Sequence, residues 1–172
     1  GNTISNTSAT SQISIVSYGG NGNGVADNTT PYNDFIAACA ASSNRDCIIP
    51  PGVYVFNYQP NCISSNIHLF GGGGLDAVEL KRNYNGTGNK GLVCIEAGGG
   101  GTTYENLVIL AAAATSSGSM LSIIATTTTQ ISSVVLKDLR LTTLGSCTNN
   151  YSLYVDGTGA TSAPIGVRDL AM

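Results

Sequence analysis

Two aspartates in equivalent surroundings are the residues of this sequence best placed to do chemistry. Asp138 follows a lysine and Asp169 follows an arginine, and each precedes a leucine. If the two segments are neighbouring strands, their carboxylates lie about 4.8 Å apart, near the ~5–5.5 Å spacing of the acid pair in retaining glycosidases. Such proximity raises the pKa of one member. The simpler interpretation is a turn ladder of Asn106, Asp138 and Asp169 whose charge the preceding cations neutralise.

The remaining polar residues suggest structure rather than catalysis. His68 is the single histidine and lies next to Leu69 and Phe70, so a packed or surface histidine is expected and not a catalytic triad. The glycine runs 71–74 and 98–101 predict tight corners rather than anion sites. The tyrosines are widely spread, which favours ordinary packing over a sugar-stacking surface. The acids do not cluster as calcium requires, and no cofactor or metal site is predicted. Substrate-binding residues are not identified.

Cysteine spacing argues against zinc and thioredoxin-type sites, because no C-x-x-C pair occurs. The sequence contains five cysteines, so at least one thiol is unpaired within the chain. The main expectation is that most are free and buried, with Cys94 packing as a small apolar residue. The alternative, appropriate to a secreted protein, is a disulfide such as Cys39–Cys47 or Cys47–Cys62.

The composition is typical of many short strands joined by small-residue turns. Of 172 residues, 42% are hydrophobic, only 10% are charged and 22 are glycine. A net charge of −3 with seven Lys and Arg argues against nucleic acid as a partner. No apolar run approaches the ~20 residues of a membrane helix, so membrane insertion is not expected.

A repeat of about 31 residues is the strongest signal for the fold. Three similar five-residue segments are centred on Leu107, Leu139 and Leu170, at spacings of 32 and 31 residues. An earlier relative is centred on Ile67, 40 residues before Leu107, and fits if that coil carries a longer loop.

The repeated units contain strands, which excludes helical repeats, and their length does not suit leucine-rich repeats or propeller blades. A second series, Leu121 and Leu153, repeats at 32 residues. The sequence therefore predicts an all-β, right-handed parallel β-helix, a solenoid whose coils stack at about 4.8 Å. The predicted strands cover residues 47–49, 53–56, 67–70, 78–80, 92–95, 107–110, 121–124, 134–136, 139–141, 153–155 and 166–170, with a short strand within 13–18.

One short capping α-helix is predicted near residues 31–42, with Thr30 as its cap and Pro31 at its first position. Its apolar face would cover the open end of the stacked core. Residues 1–12 are expected to be a linker or the end of an upstream domain. Residues 13–172 are expected to be the first coils of a longer β-helix, incomplete at the C-terminus, because Met172 falls on an inward position of a strand just begun.

The order of motifs in residues 13–82 resembles the opening segment of pectate-lyase-like right-handed β-helix proteins. Residues 18–29, YGGNGNGVADNT, are followed by a helix and then by residues 49–56, IPPGVYVF. The family pattern is Gly-Asp-Gly-x-x-Asp-Asp-Thr, helix, and Pro-Pro-Gly-x-Tyr. Residues 66–74 and 78–82 match the next turn. Asn23 and Asn28 replace two family aspartates, and Asn serves equally well in a turn.

This resemblance is specific for fold and weak for chemistry, since bacteriophage tailspikes, polygalacturonase-like hydrolases and fungal glucanases share the segment. It is most like the tailspikes and tail fibres. The leading hypothesis is a homotrimeric receptor-binding protein of a phage virion that recognises host cell-surface polysaccharide. It would join other tail proteins through an N-terminal region, and its catalytic acids, if it cleaves the glycan, would lie mostly beyond Met172. The alternatives are a secreted, monomeric polysaccharide hydrolase or lyase and a purely structural virion β-helix.

Overall fold

The computed structural model describes residues 12–86, 89–96, 99–111, 118–125, 131, 133–143 and 150–157. Within these ranges the chain forms a parallel β-solenoid of about four turns with one α-helix near its start, as predicted. The elements, in chain order, are β1 (Ile13–Ser14), β2 (Asn23–Asp27), α1 (Thr29–Ala41), β3 (Asp46–Ile49), β4 (Gly52–Phe56), β5 (His68–Gly71), β6 (Val78–Arg82), β7 (Gly91–Ile95), β8 (Thr103–Ala111), β9 (Gly118–Ile124), β10 (Val135–Thr143) and β11 (Asn150–Asp156).

The larger sheet consists of two rows of short strands that merge at one long strand, β8. Strands β1, β3 and β5 lead to the first part of β8, and β2, β4 and β6 lead to its last part. Strand β10 then pairs with β8 along its full length. Two strands of an early coil are therefore continued by one bent strand in each later coil. The sequence had suggested separate strands at 134–136 and 139–141, and these are the two halves of β10.

The predicted period is confirmed where the structure describes it. Leu139 pairs with Leu107 in the larger sheet, and Leu153 pairs with Leu121 in the smaller sheet formed by β7, β9 and β11. Leu107 and Leu121 are fully buried, and Leu139 packs against the same core. The third leucine of the series, Leu170, lies outside the described residues, as does the predicted strand at 166–170.

The alignment of Ile67 with Leu107 is wrong. In the observed register His68 pairs with Thr103, so Ile67 precedes the start of β8. The strand that lies beside the last part of β8 is β6, in which Leu80 pairs with Ile109. The motif spacing misaligns Ile67, because the single long strand β8 corresponds to two short strands of the preceding coil, β5 and β6. Only the second of these lies beside Leu107 and its neighbours.

The helix is close to its predicted position, but its first residues differ. It begins at Thr29, and Asn28 occupies the N-cap position without a side-chain capping bond, so the cap assigned to Thr30 is wrong. The buried Asn28 side chain instead organises the preceding loop. Its amide donates to the carbonyls of Asn21 and Ala26, and its Oδ1 accepts from the Asn21 N–H. As predicted for a cap, Phe35 and Cys39 on α1 are fully buried against the first coil.

Two further differences occur near the start of the solenoid. The predicted strand within 13–18 is a strand only at Ile13–Ser14, and Ile15–Tyr18 forms a 3-10 turn. Strand β2, Asn23–Asp27, was not predicted, because its Asn, Gly and Asp have low β propensity. The parallel pairing of β2 with β4 therefore stabilises its extended conformation.

Two disulfides tie the early coils together, so the expectation of mostly free thiols is wrong. The alternative Cys39–Cys47 bond is present and joins α1 to β3, with Cα atoms 6.0 Å apart. A second bond, Cys62–Cys94, links residues 32 positions apart, with Cα atoms 4.6 Å apart. Cys62 precedes a bridge between Ile63 and Ile95, so this disulfide joins stacked positions of successive coils. Cysteine 147 lies outside the described residues.

The predictions for the two ends of the chain fall largely outside the described residues, which leave out 1–11 and 158–172. Within the described part, α1 is the one helix long enough to consider, and its 13 residues are too few to cross a bilayer.

Candidate functional site

The aspartate pair proposed from sequence is only half described. Asp138 is about half exposed and its Oδ2 lies 3.9 Å from Lys137 Nζ, while Asp169 lies outside the described residues. Asp138 and Asn106 share the left-handed backbone conformation, with φ of 49° and 56°. Both stand at the bend of their strands, between segments that are paired in register. Asn and Asp are the non-glycine residues that best tolerate this conformation, which favours the structural interpretation.

The bend also explains the glycine at the end of β5. A Cβ on Gly71 would collide with the backbone carbonyl of Asn106 and come within 3.1 Å of a Val78 methyl group. A side chain at this position is therefore incompatible with the observed stacking of β5 against β8. In the following turn Gly73 and Gly74 have positive φ, as expected for a corner.

The best-developed polar surface lies on the outer face of the larger sheet, in successive coils. It is formed by Asp46 of β3, His68 and Phe70 of β5, Glu105 of β8 and Lys137 of β10, and we call it the outer ladder. Inward neighbours such as Leu69 and Tyr104 are fully buried, so the alternation along each strand places the outer ladder on the solvent side. The side chains of Asp46, His68 and Glu105 are 42%, 39% and 23% exposed.

His68 is the centre of the outer ladder. Its Nδ1 lies 3.2 Å from Asp46 Oδ1, and its Nε2 lies 3.5 Å from Glu105 Oε2. The imidazole is therefore held between two carboxylates contributed by the coils before and after it. Its ring also packs on Phe70, with centroids 5.0 Å apart and planes inclined by 32°. The arrangement fixes a half-exposed pair of rings bordered by hydrogen-bonding groups.

Glu105 connects this histidine to the next coil. Lys137 Nζ donates to Glu105 Oε1 at 2.6 Å. This bond lowers the pKa of Glu105 below its ordinary value, with His68 contributing in the same direction, and the same bond raises the pKa of Lys137. Glu105 is thus an ionised acceptor at neutral pH, suited to binding a hydroxyl or acting as a base rather than donating a proton.

One further ion pair lies near this face. Arg140 Nη1 on β10 lies 2.9 Å from Asp76 Oδ1 in the turn between β5 and β6. Val108 belongs to that face by register but is almost fully buried, since it lies between Glu79 and Arg140 on the neighbouring strands.

A group of possible metal ligands, Cys62, Cys94 and Glu96, lies on a different part of the solenoid. The two sulfur atoms are bonded to each other, and Lys90 Nζ lies 2.7 Å from Glu96 Oε1. A disulfide sulfur is not a thiolate ligand. This group therefore acts as a cross-link beside an ion pair.

Sequence reasoning placed His68 in a strand but missed both of its acidic neighbours. Asp46 precedes it by 22 residues and Glu105 follows it by 37, so no single period relates the three. The available signal was the alternation in each strand, which puts Asp46, His68 and Glu105 on outward positions. Half of the eight tyrosines are buried packing residues, namely Tyr32, Tyr54, Tyr84 and Tyr104, whereas Tyr18, Tyr58 and Tyr151 are exposed.

No protein-family model matches this chain. Searches of curated proteins and of solved structures likewise give no match. The likeness to pectate-lyase-like proteins therefore rests on the motifs of residues 13–82.

Proposed function

We propose that this chain is part of an extracellular β-solenoid that recognises polysaccharide through the outer ladder. In the leading form of the proposal it belongs to a homotrimeric tailspike or tail fibre of a phage virion, which attaches to host cell-surface glycan.

The observation that carries the proposal is the ring pair of His68 and Phe70 set among charged groups. A pyranose presents an apolar C–H face and an edge of hydroxyls, so it is bound by an aromatic surface bordered by fixed donors and acceptors. Here Asp46 and Glu105 supply acceptors and Lys137 supplies a donor. A regular sheet holds these groups without a large entropic cost on binding.

The repeating geometry of the solenoid suits a polymeric ligand. Strands of successive coils lie about 4.8 Å apart, close to the length of one sugar residue, so neighbouring coils can present equivalent contacts to neighbouring units. The sheet through β3, β5, β8 and β10 is continuous across the outer ladder. An extended glycan lying across the strands would contact all four.

Binding is tested by affinity electrophoresis or a glycan array with wild type and Phe70→Ala. Loss of a central aromatic contact costs more than about 1 kcal/mol, so affinity should fall about fivefold or more. Tyr58→Ala is the matched control, because it removes an aromatic ring that is 69% exposed and lies after β4, where its backbone bonds Thr29 of α1, and not in the outer ladder. Equal affinity of wild type and Phe70→Ala for every bound glycan would remove the outer ladder from the proposal.

A second candidate is a secreted polysaccharide hydrolase or lyase acting as a monomer. The two disulfides favour it, because such bonds persist in oxidising compartments and are rare in proteins that mature in the cytosol. The oligomeric state of the full-length protein separates the two candidates, since a monomer disfavours the tailspike form. Incubation with a bound polysaccharide separates an enzyme, which shortens the chains, from an adhesin, which leaves them intact.

If the full-length protein binds no glycan, the third hypothesis, a purely structural virion β-helix, replaces both. In that case the charges of the outer ladder only stabilise the sheet, and each exposed ion pair contributes about 0–1 kcal/mol to the free energy of unfolding.

A further inference from the structure

The one ammonium of the outer ladder is already compensated by the protein. Lys137 Nζ lies 2.6 Å from Glu105 Oε1 and 3.9 Å from Asp138 Oδ2, so its charge is shared by two carboxylates, although an N–H remains for a sugar hydroxyl. Arg45, which precedes β3, donates from Nη1 to the Asn66 carbonyl at 3.1 Å. An anionic ligand would have to displace an existing partner to pair with either positive charge.

The imidazole of the outer ladder is likewise directed to the protein's own acids. His68 Nδ1 lies 3.2 Å from Asp46 Oδ1, and Nε2 lies 3.5 Å from Glu105 Oε2. A proton on either nitrogen therefore faces a carboxylate of the protein and not a ligand. The hydrogen-bonding capacity left to a ligand is mainly that of acceptor oxygens.

These acceptors lie on both sides of the two aromatic rings. By register, Asp46 is beside His68 in the coil before it, and Glu105 is beside Phe70 in the coil after it. Within the described part of the chain, His68 is the one polar partner of the Asp46 side chain, which is 42% exposed. The face of a ring such as Phe70 also attracts cations. With two carboxylates against one ammonium, the outer ladder presents an excess of negative charge to a ligand.

We propose that the outer ladder selects polysaccharide that carries protonated amines, that is, unacetylated amino sugars, over neutral or uronate-containing polysaccharide. This inference rests on the proposed function, because it names the class of glycan bound by the same surface. A pyranose stacked on His68 and Phe70 directs substituents toward Asp46 on one side and Glu105 on the other. An ammonium in either place forms a charge-assisted hydrogen bond, whereas a sugar carboxylate is repelled.

The test is isothermal titration calorimetry of the 172-residue chain with three oligomers of equal length, made of glucosamine, N-acetylglucosamine or galacturonate. The glucosamine oligomer should bind about fivefold more tightly than the N-acetylated one, the factor for one exposed ion pair of the stronger kind. This preference should shrink as salt is added. Asp46→Asn should remove it. Asp34→Asn is the matched control and should keep it, because it removes an equal charge from an exposed position on α1.

Replacement of Lys137 should have the opposite effect. Lys137→Gln releases the Glu105 carboxylate, so affinity for the glucosamine oligomer should rise about fivefold. Lys90→Gln is the control, because Lys90 Nζ makes a comparable contact of 2.7 Å with Glu96 on another part of the solenoid. Far-UV circular dichroism checks that each variant has the wild-type fold.

The outcomes separate this inference from the proposed function. Equal or tighter binding of the N-acetylglucosamine or galacturonate oligomer overturns the amine preference but leaves the outer ladder as a glycan site. Equal losses in Asp46→Asn and Asp34→Asn also overturn it, because the attraction would then belong to the net charge of the chain. If the wild type binds none of the three oligomers, the inference is wrong, and the glycan array with Phe70→Ala decides separately whether the proposed function stands.

Discussion

Replacement of Gly71 by alanine tests the stacking of β5 on β8 at a single atom. The added methyl group would overlap the Asn106 carbonyl oxygen and lie 3.1 Å from both the Asn106 carbonyl carbon and a Val78 methyl. The obstructing atoms are backbone, and β8 is paired with β6 and β10, so it cannot shift alone. Overpacking of this kind lowers the free energy of unfolding by about 1–3 kcal/mol. Because the surroundings are rigid, we expect a loss of about 3 kcal/mol for Gly71→Ala.

The adjacent Gly72 provides a matched control. An alanine Cβ there would meet its nearest atom, a methyl of Ile48, at 3.4 Å, which is ordinary contact. Gly72→Ala should therefore leave the free energy of unfolding unchanged or raise it by about 0.4–1 kcal/mol, because alanine lowers the conformational entropy of the unfolded chain. Urea unfolding followed by far-UV circular dichroism measures both variants. Equal stability of the two would refute the observed contact between β5 and the bend of β8.

Three further perturbations test other parts of the structure. Replacing Cys62 and Cys94 together by alanine should lower the free energy of unfolding by about 4 kcal/mol, the chain-entropy value for a loop of this length, measured against wild type under non-reducing conditions. Asp138→Val should lower the free energy of unfolding by about 1–2 kcal/mol, because a β-branched residue is strained at positive φ. Asp138→Asn should retain both stability and glycan binding. A large loss of glycan binding in Asp138→Asn would indicate a functional role for this carboxylate. The pKa of Glu105 is lowered in the folded state by Lys137, so its contribution to stability is present above the unfolded value of 4.5 and is lost as pH falls through the lower folded value. Wild type should therefore lose more stability than Glu105→Gln between about pH 6 and about pH 3, and parallel pH profiles would contradict the ion pair.

The coil period was predictable because the later coils are regular. Leu107 and Leu139, like Leu121 and Leu153, are separated by one full coil, and identical inward positions there require similar apolar residues. The first coils have different turn lengths, so a single spacing does not apply to them. Ile67 was misaligned for this reason.

The elements that sequence reasoning missed depend on tertiary contacts. In Asn23–Asp27 only Val25 has a high β propensity, and the pairing of this segment with β4 decides its conformation. Cysteine pairing likewise cannot be read from spacing, since Cys62 and Cys94 meet only when the coils stack.

The outer ladder could not be predicted from sequence, because its members also meet only when the coils stack. His68 was visible as an isolated histidine, but its partners come from the coils on either side at unequal distances along the chain. The bend at Asn106 and Asp138 was partly predictable, because the repeated Asn/Asp position indicated a ladder. Its place in the middle of a strand followed only from the merging of two rows at β8.

Nuclear Overhauser effects between stacked coils are the most direct test of the architecture. In uniformly labelled protein, the account predicts parallel-sheet contacts between the backbones of Leu107 and Leu139 and of Leu121 and Leu153, 32 residues apart in both sheets. Antiparallel contacts, or contacts at any other spacing for these leucines, would contradict the solenoid and with it the placement of the outer ladder.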